Sequence, residues 1–219
     1  MKKPQTEFIP SQSLKAAKAI DLDLEHLVSG LKEAQFHASS RTGGWSVAYC
    51  IEHLVLTGHA FLPRWDLAIK EAPANGLVGR HRFPYSWWHR LLLAASEPPY
   101  KIKTRTAWAF TPCSRLSTEE TLHHFSAMHR ELMRRIERSA EVDAARVRIQ
   151  SPFASWISYP LGFSFDLALA HERRHLWQAW QVRRQFVSGH GEPAESATKP
   201  ASLDCHLGYT VDSIPTPKG

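Results

Sequence analysis

Two histidines four residues apart, His171 and His175, are the side chains of this sequence best placed to do chemistry together. Each helical residue turns about 100°, so the pair lies about 40° apart around the axis and one turn apart along it. Both imidazoles then project from one face, close enough to hold a single metal ion. Gln178 follows on that face, and Leu167 and Val182 extend the same stripe, which marks it as facing an interior. Buried imidazole nitrogens need partners, and a shared metal supplies one. Glu172 completes the letters H-E-x-x-H, in which the glutamate of a zinc protease acts as general base. The protease form also needs a Glu or His ligand downstream, and Leu176-Trp177-Gln178-Ala179-Trp180-Gln181 supplies neither. Glu172 sits about 100° round from His171, where a solvent-facing ion pair with Arg173 is expected.

A metal centre needs at least three ligands, and a catalytic one keeps a further position open. Among the 13 histidines, His53 is the best third ligand, since Tyr49, Cys50, Leu54, Leu56 and Thr57 give it a largely apolar setting. His59 is a weaker choice, close to Pro63. His123, His124 and His129 lie among polar residues and read as surface or supporting groups, while His81 and His89 sit beside arginines. Tyr49, Cys50 and Gln178 fall within a turn of the ligands and are candidates to orient a ligand or substrate.

The elements that carry these residues are helices. Leu14, Ile20, Leu24, Leu27 and Leu31 predict one helix over 11–36, with Ser11 or Ser13 as its cap. Gly43-Gly44 then breaks the chain. Ser46 caps a second helix reaching about Lys70, with a kink or break expected at Pro63. Residues 76–116 are rich in Pro and aromatics and read as a long insertion packed on the rest, with a short helix near Trp87–Ala95. Ser117 and Glu120 form a capping box for a third helix. A second aromatic connection over 150–159 leads to a fourth helix over 164–187, which Ser188-Gly189 ends. The expected fold is therefore all-α: a four-helix bundle with a long second crossover over residues 1–188, no sheet of three or more strands, and an extended or disordered tail over 189–219.

Bulk composition narrows the functional classes. The 219 residues are 43% hydrophobic with 8 Trp and 10 Phe, enough for one sizeable core. No apolar run approaches the ~20 residues of a membrane span. The basic start, Met1-Lys2-Lys3, has no apolar stretch behind it, so no signal peptide is expected. Cys50, Cys113 and Cys205 form neither a disulfide framework nor a CxxC site, and a reducing cytoplasm is the simplest home. The +6 net charge is scattered and accompanies no nucleic-acid motif, so a nucleic-acid partner is not expected.

Gly44-Trp45-Ser46 followed by Glu52-His53-Leu54, and later His171-x-x-x-His175-x-x-Gln178, together resemble the DinB superfamily of metal-dependent helical bundles, which includes bacillithiol-transferase-like proteins. The approach to the last helix, from Ser151-Pro152-Phe153 to Leu161-Gly162, resembles the family as well, and the likeness spans roughly residues 11–188. The resemblance implies a three-histidine centre of His53, His171 and His175, binding zinc, nickel or iron. It also implies a thiol-dependent transferase or a hydrolase, with a small-molecule thiol or an electrophile as substrate. A non-catalytic metal-binding stress protein, forming a homodimer through exposed aromatics, is the alternative, and whether the chain is an enzyme stays open at this level. The H-E-x-x-H protease is a remote third reading.

Overall fold

Ser13, Ala17, Ile20, Leu24 and Leu27 are the buried residues of the first helix, α1 (Pro10–Val28), and their alternating spacing of four and three draws a single stripe. Pro10 starts it, its φ already helical and its missing N–H not needed in the first turn. The computed structural model describes residues 6–41, 43–79, 83–99, 110–112, 116–154 and 156–187. The tail expected after residue 188 lies outside these. The single helix expected over 11–36 is in fact two. The chain leaves the helix at Ser29, and Gly30 takes a left-handed φ of 73° that a residue with a Cβ adopts only under strain. A short α2 (Glu33–His37) then buries Phe36.

α3 (Val47–Glu71) starts where expected, with Ser46 Oγ accepting from the Tyr49 amide at 3.1 Å. It runs through Pro63 without ending, contrary to the break considered there. A 3₁₀ turn follows at Pro73–Asn75. α4 (Trp87–Ser96) is capped by Ser86, and α5 (Thr118–Arg138) by the Ser117–Glu120 box. α6 (Leu161–Val187) begins three residues before the expected Ser164. Residues 161–166 are all buried, so this first stretch carries no exposed side to mark it as amphipathic.

Strands are few among the described residues. β1 (Glu7–Phe8) pairs antiparallel with β2 (Phe83–Pro84), and β3 (Arg148–Gln150) pairs antiparallel with β4 (Ser158–Pro160) through Ile149 opposite Tyr159. The second pair replaces the irregular connection expected over 150–159 and presents its loop, with Phe153, beside α6.

α3 packs on α5 and α6, and α1 packs on the same two helices. α1 and α3 therefore take opposite corners of a four-helix bundle. The long second connection joins neighbouring helices, and the passages α1→α3 and α5→α6 cross the diagonals. Close approach of α3 to α5 depends on Gly58, where an added Cβ would overlap the Met128 sulfur. α4 lies on α6, tied there by Arg173 Nε donating to Glu97 Oε2 at 3.0 Å. No described helix is long and apolar enough to cross a membrane.

Candidate metal centre

α3 and α6 pack along a seam of mostly apolar residues, and His53 enters it from α3 while His171 and His175 enter it from α6. Their ring centroids lie 5.1 Å (His53–His171), 4.5 Å (His53–His175) and 4.6 Å (His171–His175) apart. One nitrogen from each lies within 4.8 Å of the other two, forming the one potential metal-binding group among the described residues. Nε2 of His53 and Nε2 of His171 are 3.3 Å apart. Two nitrogens bound tetrahedrally at ~2.0–2.1 Å from one zinc ion would stand about 3.3–3.4 Å apart. The spacing thus fits a shared ion.

The proton positions fit as well. His53 Nδ1–H donates to the carbonyl of Phe110 at 2.7 Å, which fixes the tautomer and leaves the Nε2 lone pair turned to the cluster. Nδ1 of His175 is buried without a hydrogen-bond partner. Burial is the largest influence on all three rings and disfavours the imidazolium. It pushes His53 down, with the Arg174 charge adding to it and the Phe110 hydrogen bond opposing it. It pushes His171 down to about 3, helped by His53 and Arg174. His175 is held well below its ordinary value by burial, then by the other two histidines and Arg174, against an interaction with the Gln178 side chain that favours the charged ring. Three neutral imidazoles converging on one point are a set of lone pairs ready for a cation.

Aromatic rings wall the cluster. Trp45, just before α3, stacks on His175 at 5.7 Å and lies 5.0 Å from His53. Phe153 approaches His171 at 6.4 Å and packs edge-on against Phe110 at 4.8 Å. Phe110 has no signal in the sequence as a site residue, because it acts through its backbone carbonyl. His171 keeps part of its surface accessible because it walls a cavity between α3, α4 and α6.

The other candidates fall differently. Gln178 lies near enough to His175 to oppose the lowering of its pKa. Tyr49 is half-buried and lends its amide to the Ser46 cap. Cys50 is fully buried in the apolar core, where burial pushes its thiol far up, and it does not join the histidine group. His59 is not part of the group either, while His81 lies outside the described residues.

Two expectations are overturned. Glu172 does not face solvent or Arg173: it is 4% exposed, and its Oε2 lies 3.1 Å from His129 Nδ1. His129 is not a surface group but wholly buried, with Nε2–H donating to the Ala17 carbonyl at 3.1 Å and Asp21 Oδ1 lying 3.6 Å from the same nitrogen. Burial alone would depress its pKa, but the Glu172 carboxylate, with Asp21 and Ala17, raises it to about 9. The signal was present on α5: Phe125, Met128, Leu132 and Ile136 form an apolar stripe, and His129 follows Phe125 by one turn. With Oε2 3.1 Å from His129 Nδ1, Glu172 is directed toward α5 rather than free to serve as a protease base.

The fold and site together define a helical bundle with a histidine cluster between two of its helices. The family model of the DinB superfamily matches residues 22–179, and the chain belongs to that superfamily. Among solved structures, the chain is similar to YfiT from Bacillus subtilis, described as a probable metal-dependent hydrolase with an unusual four-helix bundle topology. The TM-score is 0.53 at 16% identity, covering 81% of this chain and 87% of that one. A comparison with curated proteins gives no match.

Proposed function

We propose that the protein is a divalent-metal-dependent enzyme in which His53, His171 and His175 hold the ion and a small nucleophile, water or a low-molecular-weight thiol, attacks an electrophilic substrate. The observation that carries this reading is the convergence of three neutral imidazole nitrogens within 4.8 Å. A divalent ion there would act as a Lewis acid and lower the pKa of a bound water or thiol toward neutrality. Zinc, nickel and iron(II) all suit imidazole donors, and the donor set does not choose among them.

The protein's own residues have separable roles. The Phe110 carbonyl holds the His53 proton on Nδ1, so Nε2 stays available. Gln178 orients His175 from the next turn of α6. Trp45 shields the His175 and His53 rings from water. Family membership supports the metal, and the description of YfiT as a probable metal-dependent hydrolase favours water as one nucleophile. The widely spaced cysteines remain consistent with a cytoplasmic setting.

The test is elemental analysis of protein purified without a histidine tag, followed by hydrolase and thiol-transfer assays with the loaded protein. One divalent ion per chain, lost in a His53→Ala variant, is the expected result. A wild-type protein that takes up no zinc, nickel or iron sinks the reading. A protein that binds the ion tightly but shows neither activity is instead a non-catalytic metal-binding protein.

A further inference from the structure

Beside His171 the helices leave a cavity of about 180 Å³. Phe61 of α3, Leu92 of α4, Leu167 and Ala168 of α6 and Phe153 of the β3–β4 loop give it apolar walls. Two hydroxyls also reach it, and both already donate within the protein. Ser96 Oγ donates to the Leu92 carbonyl at 2.9 Å, and the Tyr159 hydroxyl donates to Ser151 Oγ at 3.2 Å. Among the described residues no Lys, Arg, Asp or Glu lines it. In the metal-free protein, a carboxylate or phosphate entering this space would shed its water and meet no charged side chain among the described residues, a large cost. A hydrocarbon group meets no such cost, and an apolar protein cavity of about 150 Å³ is large enough to take up benzene.

We propose that this cavity binds an uncharged apolar group of the substrate, a single aromatic ring or a short branched alkyl chain, and holds it against His171. The chemical class rests on the cavity alone. The role in presenting a substrate rests on the metal reading above. α4 is the element that sets the selectivity: it is no part of the four-helix frame, yet Leu92 and Ser96 close one side, and the Arg173–Glu97 pair fixes α4 to the ligand-bearing helix.

Toluene and benzoate, of similar size and opposite polarity, separate the possibilities. Each is titrated into chelator-treated protein and followed by nuclear magnetic resonance, for the wild type and for Ala168→Leu and Leu92→Trp, which fill the cavity from two helices. Toluene is expected to give saturable shifts at Leu92 and Leu167, with benzoate at least tenfold weaker. Both variants are expected to weaken toluene at least tenfold while retaining the wild-type helical spectrum. Leu92→Trp, on α4 and away from the ligands, keeps the test decisive if Ala168→Leu does not fold. No saturable toluene binding, or benzoate binding as tightly as toluene, overturns the proposal. A parallel zinc titration reads the metal separately: toluene binding without zinc uptake supports the apolar pocket and overturns only the metal centre.

Discussion

At the scale of single residues, the site combines two kinds of buried histidine with opposite protonation. His53, His171 and His175 are kept neutral by burial among one another, while His129 is kept charged by Glu172 and Asp21. Replacing any one of the three clustered histidines by Ala is expected to cut zinc affinity by more than 100-fold in a competition titration, since two ligands hold an ion poorly. Gln178→Ala should cost about tenfold in the same titration, the loss of one orienting hydrogen bond. Glu172→Gln is expected to leave zinc uptake measurable but to destabilise the fold by roughly 3 kcal/mol in urea unfolding, because it leaves the buried His129 imidazolium with only the more distant, partly exposed Asp21. An Oε2 facing solvent would instead give a change within about 0.5 kcal/mol. The sign of the pH effect follows from His129. The folded protein holds this proton more tightly than the unfolded chain, so the stabilisation is fully present below pH 6.5 and is lost as pH rises through about 9. Melting temperatures measured across that window should fall in the wild type and stay flatter in His129→Gln.

At the scale of elements, what places the site is the contact of α3 with α5 and α6. Gly58 sets the first of these distances. Gly58→Ala gains about 1 kcal/mol of helix propensity but drives a methyl into Met128, and overpacking of this kind costs about 1–3 kcal/mol. A net loss of about 1 kcal/mol is expected. The diagnostic result is the double-mutant cycle: Gly58→Ala with Met128→Ala should be more stable than the sum of the two single changes, because the added methyl occupies part of the space vacated. Additive effects would show that the helices approach differently. The β3–β4 pair plays a comparable part on the other side, carrying Phe153 to the edge of the cluster, where it packs on the residue whose carbonyl holds His53.

At the scale of the whole molecule, the histidines come from helices at adjoining corners of the bundle, so an ion shared between them would link α3 to α6 across the core. Binding restricted to the folded state stabilises it by about 2.7 kcal/mol at a free ion concentration 100 times the dissociation constant. For a chain of this size that corresponds to roughly 5–10 °C. Differential scanning calorimetry with and without zinc should show this rise in the wild type, and none in His171→Ala. A rise of equal size in that variant would place the ion elsewhere on the molecule.

What the residues alone determined was whatever depends on local period and local caps. The His171–His175 stripe, the Ser46 and Ser117 caps and the predominance of helix could be read because each involves neighbours within one or two turns. His53 could be nominated from its apolar neighbours, and the family motif reinforced the choice. The tertiary structure decided everything that joins distant segments. Phe110 acts through a carbonyl, which no side-chain pattern advertises. The Glu172–His129 pair joins α5 to α6, and H-E-x-x-H reads the same whether its glutamate turns toward a metal, solvent or another helix. α1 ended at Val28 although the apolar period continued to Leu31, because the turn through Ser29 and the left-handed Gly30 outweighs a hydrophobic spacing at that one point. Long-range partners are chosen by packing and by the need to satisfy buried polar atoms, and neither quantity is written in residue spacing.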